Sequence, residues 1–267
     1  MFEGARRIVQ FRGLLATLTA RELKARYRGS VLGFFWSLVN PLLLLGVYTL
    51  VFGYIFLPDR AGDTHPYSLF LITGLFPWVW VSTSLLEATV SLSANSGLIR
   101  KAVFPAELLP MVSVLANGVH FLFALPILGL ALVAGRLLGF PVGGPSAVLL
   151  PLVVLVQLPL VAGFSLALAA LNVHFKDVRD IVSNLLTLLF FLTPILYPMS
   201  MIPSRALRFV VLANPFTPYT LAYQQTLFEG VWPPWWLWLE MVVVSGVVWW
   251  IGASLFERLR ETLVEAV

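Results

Sequence analysis

Leu108–Gly135 runs without a single charged residue, and so do Val31–Leu57 and Ala147–Leu171. A helix crosses the hydrocarbon core of a bilayer with about 20 consecutive apolar residues. Three such runs in one chain exceed what a water-soluble fold can bury. The overall balance agrees, since 59% of the 267 residues are hydrophobic and 11% are charged, against about a quarter charged in soluble domains. The same balance excludes disorder, which needs low hydrophobicity and high charge. The predicted fold class is therefore an all-α integral membrane protein.

Six spans are expected: 31–57, 67–92, 108–135, 147–171, 181–197 and 235–256. Glu87 interrupts the second, Pro194 breaks the short fifth, and Glu240 sits in the sixth. Between spans five and six, residues 198–234 are too apolar for a free loop, with ALRFVVLA and TLAYQQTLF punctuated by Pro203, Pro215, Pro218, Pro233 and Pro234. Neither piece is long enough to cross alone. Short helices that dip into the membrane and turn back fit this pattern, provided that their backbone is buried in protein or lines a wet cavity. An external interfacial helix is the other reading.

Residues 1–30 are set apart by charge. Gln10, Thr17, Arg21, Lys24 and Arg28 fall on one side of a helix over 5–28, and Ile8, Phe11, Leu15 and Leu18 on the other. Arg12 and Arg26 intrude on the apolar side. Two readings stand: a helix in the interface with its cations toward headgroups, or a plain positive-inside anchor. Arg6, Arg7 and the cations that follow leave no uninterrupted apolar core for a signal peptide. With both termini inside, thirteen of the 17 Lys and Arg residues lie in cytoplasmic segments and four (Arg60, Arg136, Arg205, Arg208) in external ones. That bias supports six spans with both ends in the cytoplasm. Trp232, Trp235, Trp236 and Trp238 form an interfacial cluster at the outer end of span six.

The chemistry available is narrow. There is no cysteine, which excludes disulfides, zinc thiolates and thiol nucleophiles. His65, His120 and His174 are too far apart in sequence to argue for a metal site. No GxxxxGK[ST] loop is present, so if the chain transports actively, the energy has to come from another subunit. Glu87 and Glu240 are functional candidates as intramembrane acids; each can also snorkel to the interface, and Glu87 can pair with a basic loop residue. Glu107 can pair with Arg100 or Lys101, and Asp177 can cap a helix or pair with Lys176 or Arg179. Asp180 follows Asp177 on one short loop. The external acids Asp59, Asp63 and Glu229 are few. No carboxylate chain resembling a proton relay and no arginine ladder occurs in the spans. Phe34, Phe35, Trp36, Tyr48, Phe52, Phe76 and Trp78 are abundant enough to line a sugar conduit, where rings stack on C–H faces. Aromatics in spans also simply face lipid or pack.

Several stretches, in order along nearly the whole chain, resemble the membrane subunit of polysaccharide ABC exporters: RELKARYRGSVLGFFWSLVNPLLLLGVYTLVF (Arg21–Phe52), GLFPWVWVSTSL (Gly74–Leu85), LNVHFKDVRDI (Leu171–Ile181), LTPILYPMSMIP (Leu192–Pro203) and NPFTPY (Asn214–Tyr219). The likeness is nearest to O-antigen permeases, with teichoic-acid and capsule permeases as alternatives. It implies a homodimer, two copies of a separate ATPase carrying ATP and Mg, no cofactor or catalytic residue in this chain, and no nucleic-acid partner. The implied cargo is a polysaccharide on undecaprenyl pyrophosphate, moved across the bacterial inner membrane. It also implies a coupling helix near 93–105 with Arg100 and Lys101, a Leu32–Gly33 turn beside the lipid entrance, and an external gate of two short helices that includes Pro194, Tyr197, Pro203, Asn214, Pro215 and Pro218. Arg21, Lys24, Arg26 and Arg28 then stand where a pyrophosphate arrives, and arginine forks match its oxygens. Two other classes are weighed against this one: a membrane enzyme of lipid-linked sugar metabolism, using Asp59 or Asp63, and a passive channel.

Overall fold

The computed structural model describes residues 2–56, 64–99 and 104–266. All regular structure among them is helical. Four helices are long and apolar enough to cross a membrane: α4 (Tyr67–Ala94), α6 (Leu108–Leu137), α7 (Leu150–His174, entered through a 3-10 turn at Pro145–Leu149) and α11 (Trp235–Ala266). They coincide with the second, third, fourth and sixth expected spans. α11 runs well past Phe256, so the expected tail is helical. In α4, 72% of the most apolar stretch is buried, against 28%, 33% and 22% in the other three. α4 is therefore the central helix, packed against α6 on one side and α7 on another, while α11 lies against α7.

The other two expected spans are not single long helices. Val31–Leu57 resolves into a 3-10 turn (Gly33–Phe35), α3 (Trp36–Tyr48) and a π-helical stretch (Thr49–Phe56). α3 is about 20 Å long. Ile181–Tyr197 contributes α8 (Val178–Leu192), about 22 Å; each α-helix by itself, α3 without its π continuation, is short of the roughly 30 Å core. α8 stops at Thr193, which is extended (φ −80°, ψ 138°). A residue before proline is pushed out of the helical region, and Pro194 follows. The N-terminal segment is two helices, α1 (Phe2–Gln10) and α2 (Arg12–Arg26), with a break at Phe11. Its expected sidedness holds: Gln10, Thr17, Arg21, Lys24 and Arg28 are exposed, Leu15 is buried, and Ile8, Phe11 and Leu18 are half-buried. A short helix, α5 (Ser96–Ile99), follows α4. Arg100 and Lys101, like Asp59 and Asp63, lie outside the described residues.

The two ends of the bundle are distinct. At one, Arg7 Nη2 donates to both carboxylate oxygens of Glu257, at 2.7 and 2.8 Å, and Arg7 Nε approaches Glu107 Oε1 at 3.1 Å, off the hydrogen-bond axis. His174 meets Thr262 at 2.9 Å. The N-terminal helix, the start of α6 and the ends of α7 and α11 thus share that end. Glu107 faces Arg7; the loop cations Arg100 and Lys101, with which it was expected to pair, lie outside the described residues. At the other end, Tyr67 donates to the Leu196 carbonyl (3.0 Å), Ser146 to that of Thr226 (2.9 Å), and the Gly143 N–H to that of Phe228 (2.9 Å).

Between Thr193 and Trp235 the chain forms α9 (Arg205–Leu212), mostly exposed, and α10 (Thr217–Tyr223), buried and continued by a π-helical Gln224–Glu229. Proline at the second helical position and Asn214 start α10. Asn214 Oδ1 accepts from the Phe216 N–H (3.0 Å), and its Nδ2 donates to Thr193 Oγ1 (2.8 Å). Tyr223 donates to Gln157 Oε1 at 2.7 Å, and Tyr219 bonds the Met241 carbonyl at 2.7 Å and the Ser245 hydroxyl. Lipid gives no hydrophobic drive between helices, so close packing and such bonds hold the bundle.

Glu107 also makes stability depend on pH. It is 3% exposed, and burial pushes its carboxyl above the ordinary value of 4.5. A backbone hydrogen bond and Arg7 pull it down, and Glu257 pushes it up. The folded state therefore binds a proton more tightly than the unfolded one. The associated stability is complete below pH 4.5 and fades as pH rises through the elevated folded value. The melting temperature of the detergent-solubilised protein should fall across that window, and Glu107→Gln should flatten the decline. An unchanged profile in the variant removes Glu107 as its source.

Candidate functional site

After α2 the chain turns through Gly29 (φ 79°) and Gly33 (φ 50°), a left-handed conformation that favours glycine. Ser30 Oγ accepts from the Gly33 N–H at 3.1 Å. This turn sets α3 across α4 and α6 and leaves a cleft of about 400 Å³ between the end of α2, α3, α4 and α6. On α4 the lining residues Phe76, Trp80, Thr83 and Glu87 recur every three or four positions, which makes one stripe. On α6, Asn117, His120, Phe121 and Ala124 do the same, and α3 adds Trp36 and Asn40.

A polar triangle closes one wall. Arg26 Nη2 donates to Glu87 Oε2 at 2.6 Å, and Arg26 Nη1 donates to Asn117 Oδ1 at 2.9 Å. Asn117 Nδ2 donates to the same Glu87 oxygen at 2.6 Å and to the Ser113 carbonyl at 3.0 Å. Glu22 stands 3.8 Å from Arg26, one helical turn earlier. Beside the triangle the Tyr27 hydroxyl and His120 Nε2 share a hydrogen bond of 2.9 Å. Trp80 stacks on Phe121, with centroids 5.2 Å apart and planes within 4°, and its Nε1 donates to the Val114 carbonyl at 3.3 Å. The arrangement offers a charge-balanced set of donors and acceptors against an aromatic wall.

The expected residues divide. Arg26, Trp36 and Phe76 line the cleft. Arg21, Lys24 and Arg28 are exposed on α2 and the turn after it. Leu32 and Gly33 lie in the turn itself, Leu32 being exposed, and Phe34 and Phe35 form the 3-10 turn that follows, with Phe35 exposed. Tyr48 is away from the cleft, stacked on Phe190 at 5.5 Å, with Phe52 tilted against it at 6.2 Å. Trp78 is buried between Phe190 and Phe216, at 6.0 and 5.6 Å. At the other end, Pro194, Asn214 and Pro218 are buried, Tyr197 and Pro215 are half-buried, and Pro203 is exposed. Tyr197 donates to the carbonyls of Phe191 (3.0 Å) and Leu192 (3.2 Å). Glu87, expected to snorkel or to pair with a basic loop residue, pairs with Arg26 at the end of helix α2. Asp177 occupies the N-cap of α8 without a side-chain capping bond. Asn117, His120, Tyr27 and Trp80 were missed as site residues. Their signal is polar residues at i, i+3 and i, i+4 spacing inside otherwise apolar spans: Thr83 with Glu87, and Asn117 with His120.

Comparison with known proteins places this geometry in context. A family model described as ABC-2 type transporter matches residues 13–228. The chain is 40% identical over 269 residues, all of both chains, to the O-antigen export system permease protein RfbA of Myxococcus xanthus. It is 32% identical over 257 residues, 94% of each chain, to the protein of that name from Klebsiella pneumoniae. It is 23% identical over 218 residues, 80% of each chain, to the polysialic acid transport protein KpsM of Escherichia coli.

Proposed function

This chain belongs to the ABC-2 type transporter family, and on that premise we propose that it is the membrane subunit of an O-antigen exporter, a transport subunit rather than an enzyme. The observation that carries the reading is the end-to-end identity with an O-antigen export permease. In the finer form of the proposal, two copies pair around a pathway and two copies of a separate ATPase dock at the Arg7–Glu107–Glu257 end. That end is cytoplasmic, in the inner membrane, where the cation bias supports both termini. α3 with its π extension, and α8 with the turn after it, complete six spans. α9 and α10 are the re-entrant gate helices, and residues 93–105 couple to the ATPase. The cargo is a polysaccharide on undecaprenyl pyrophosphate.

Arg28, exposed in the turn after α2, and Arg26, in the cleft, guide the pyrophosphate. Arg26 is committed to Glu87 and Asn117, so a phosphate has to compete with Glu87 for the guanidinium. ATP binding drives the cycle only by favouring one gate state over another by a few kcal/mol.

Co-expression with a P-loop ATPase from the same gene neighbourhood tests the reading, with ATP-dependent appearance of lipid-linked polymer on the outer face as the readout. Polymer should appear only with both subunits and ATP. Arg26→Gln with Arg28→Gln should lower it at least tenfold at normal protein level. ATP-independent appearance, or no stable complex with any ATPase, overturns the exporter reading. Intact export in the double variant overturns only the roles of the two arginines.

A further inference from the structure

On the outer half of α6, Leu125, Leu128, Gly129, Leu132, Val133 and Arg136 recur at helical spacing and border a groove of about 280 Å³. The loop before α7 and Leu227 of the π-helical segment after α10 close its other side. We propose that this groove holds an acyl tail of an anionic phospholipid of the outer leaflet, with the lipid phosphate on Arg136. The site goes beyond the exporter reading. It takes from that reading the orientation of α6 and nothing about the cargo.

Length selects the tail. From Leu125 to Arg136 the helix advances by 11 residues, about 16 Å at 1.5 Å per residue. That is half of the roughly 30 Å hydrocarbon core, the depth of one leaflet. A polyprenyl tail is far longer than one leaflet and finds no such match. The floor is apolar, with Leu128, Leu132, Val142 and Leu227 all buried. Gly129 opens the groove. Glycine weakens a helix interior relative to alanine, and elsewhere on α6 packing accounts for it: a Cβ on Gly135 would lie 2.4 Å from Leu69 Cδ1. Gly129 is exposed, and nothing lies within 4 Å of a Cβ built there. No helix crosses at that point, so the missing side chain leaves room for a group from outside the fold.

Charge selects the headgroup. Arg136 is exposed and forms no salt bridge among the described residues, and none of the described carboxylates borders the groove. Glu229, next to the Gly230 that packs on Gly144, borders a different cavity. An arginine stem lies along apolar surface while its head reaches the headgroup level, and its fork matches two phosphate oxygens. A basic group at the mouth of a pocket between spans favours an anionic lipid. A zwitterionic lipid brings an ammonium that finds no carboxylate here.

The test uses the full chain in nanodiscs of phosphatidylethanolamine, so that the zwitterionic lipid competes in large excess. A trace of phosphatidylglycerol carries a photoreactive diazirine near the end of one tail, and cross-links are mapped by peptide mass spectrometry. Wild type should be labelled chiefly between Leu125 and Val133, and unlabelled phosphatidylglycerol should suppress the label. The same diazirine on phosphatidylethanolamine should spread over the lipid-facing helices without concentrating there. Gly129→Leu, which fills the groove, and Arg136→Gln should each lower the label about tenfold or more, while Gly246→Leu, on α11, should be labelled as wild type is. Arg136 is exposed, so its variant keeps the test decisive even where Gly129→Leu fails to fold. Equal patterns from the two probes, equal labelling of Arg136→Gln and wild type, or stronger displacement by undecaprenyl phosphate than by phosphatidylglycerol overturns the proposal. The assay holds neither ATPase nor polymer, so its failure leaves the exporter reading standing, and failure of export leaves this site standing.

Discussion

Gly252→Val should abolish accumulation of the folded protein, and Gly252→Ala should already destabilise it by about 3 kcal/mol or more, at the upper end of what overpacking costs. α7 and α11 form the most extensive helix pair in the molecule, and they cross backbone to backbone. A Cβ built on Gly252 would lie 2.0 Å from the Gly163 carbonyl oxygen and 2.6 Å from its carbon. A Cβ on Gly163 would lie 2.6 Å from the Val248 carbonyl oxygen and 2.7 Å from Trp249 Cα. No side-chain rotation relieves a clash with backbone, so the helices must separate and lose packing along the crossing. Small residues at such crossings are what allow helices to associate in lipid. Gly246, on the same helix, has nothing within 4 Å of a built Cβ, so Gly246→Ala should be neutral or gain up to about 1 kcal/mol of helix propensity. Size-exclusion profiles and melting curves in detergent decide the matter. Equal behaviour of the two alanine variants overturns the close-crossing account.

Glu87→Ala should cost about 2–3 kcal/mol of stability. Loss of the carboxylate leaves the Arg26 guanidinium in the cleft with Asn117 as its remaining close hydrogen-bond partner, and removes one partner of Asn117 as well. Hydrogen bonds to charged groups contribute about 1.5–3 kcal/mol, and stranding one member of a buried pair costs more than the pair itself supplies. Arg26 and Glu87 are 24% and 39% exposed, which keeps the figure below that for a fully buried pair. The melting temperature should drop by roughly 5 °C or more. Arg26→Gln combined with Glu87→Gln should be less damaging than the sum of the single changes, with a coupling of at least about 1 kcal/mol. Strict additivity would mean that the triangle does not act as a unit.

Much of this site was legible along each helix separately. Glu87 stood out because a carboxylate in a span is expensive and needs a partner. The sidedness of the N-terminal segment followed from helical spacing, with Gln10, Thr17, Arg21, Lys24 and Arg28 on one face. What periodicity cannot supply is the rotation of one helix against the next. Trp78 and Trp80 are two residues apart, about 200° around a helix of 3.6 residues per turn, so one of them had to face away from the cleft. Trp78 was the expected sugar contact; it packs between Phe190 and Phe216, and Trp80 lines the cleft beside Asn117 and His120. Arg26 was read as a cation at the mouth for the same reason, since its acidic partner is 61 residues away in the chain.

The amino-acid sequence alone determined the solvent, the helical class, four of the long helices and the two short segments between Pro198 and Pro234. All of these follow from local quantities: the length of an uncharged run, the spacing of charges, and the places where proline forbids a helix. Only the tertiary structure decided that Arg26, Glu87 and Asn117 meet, that Glu107 faces Arg7, and that Gly163 lies against Gly252. It also set Leu227 beside the stripe of α6 that ends at Arg136. Those facts depend on how helices rotate and cross. In lipid, side chains are apolar on every face of a helix, so the choice falls to a few small residues and polar pairs from distant parts of the chain.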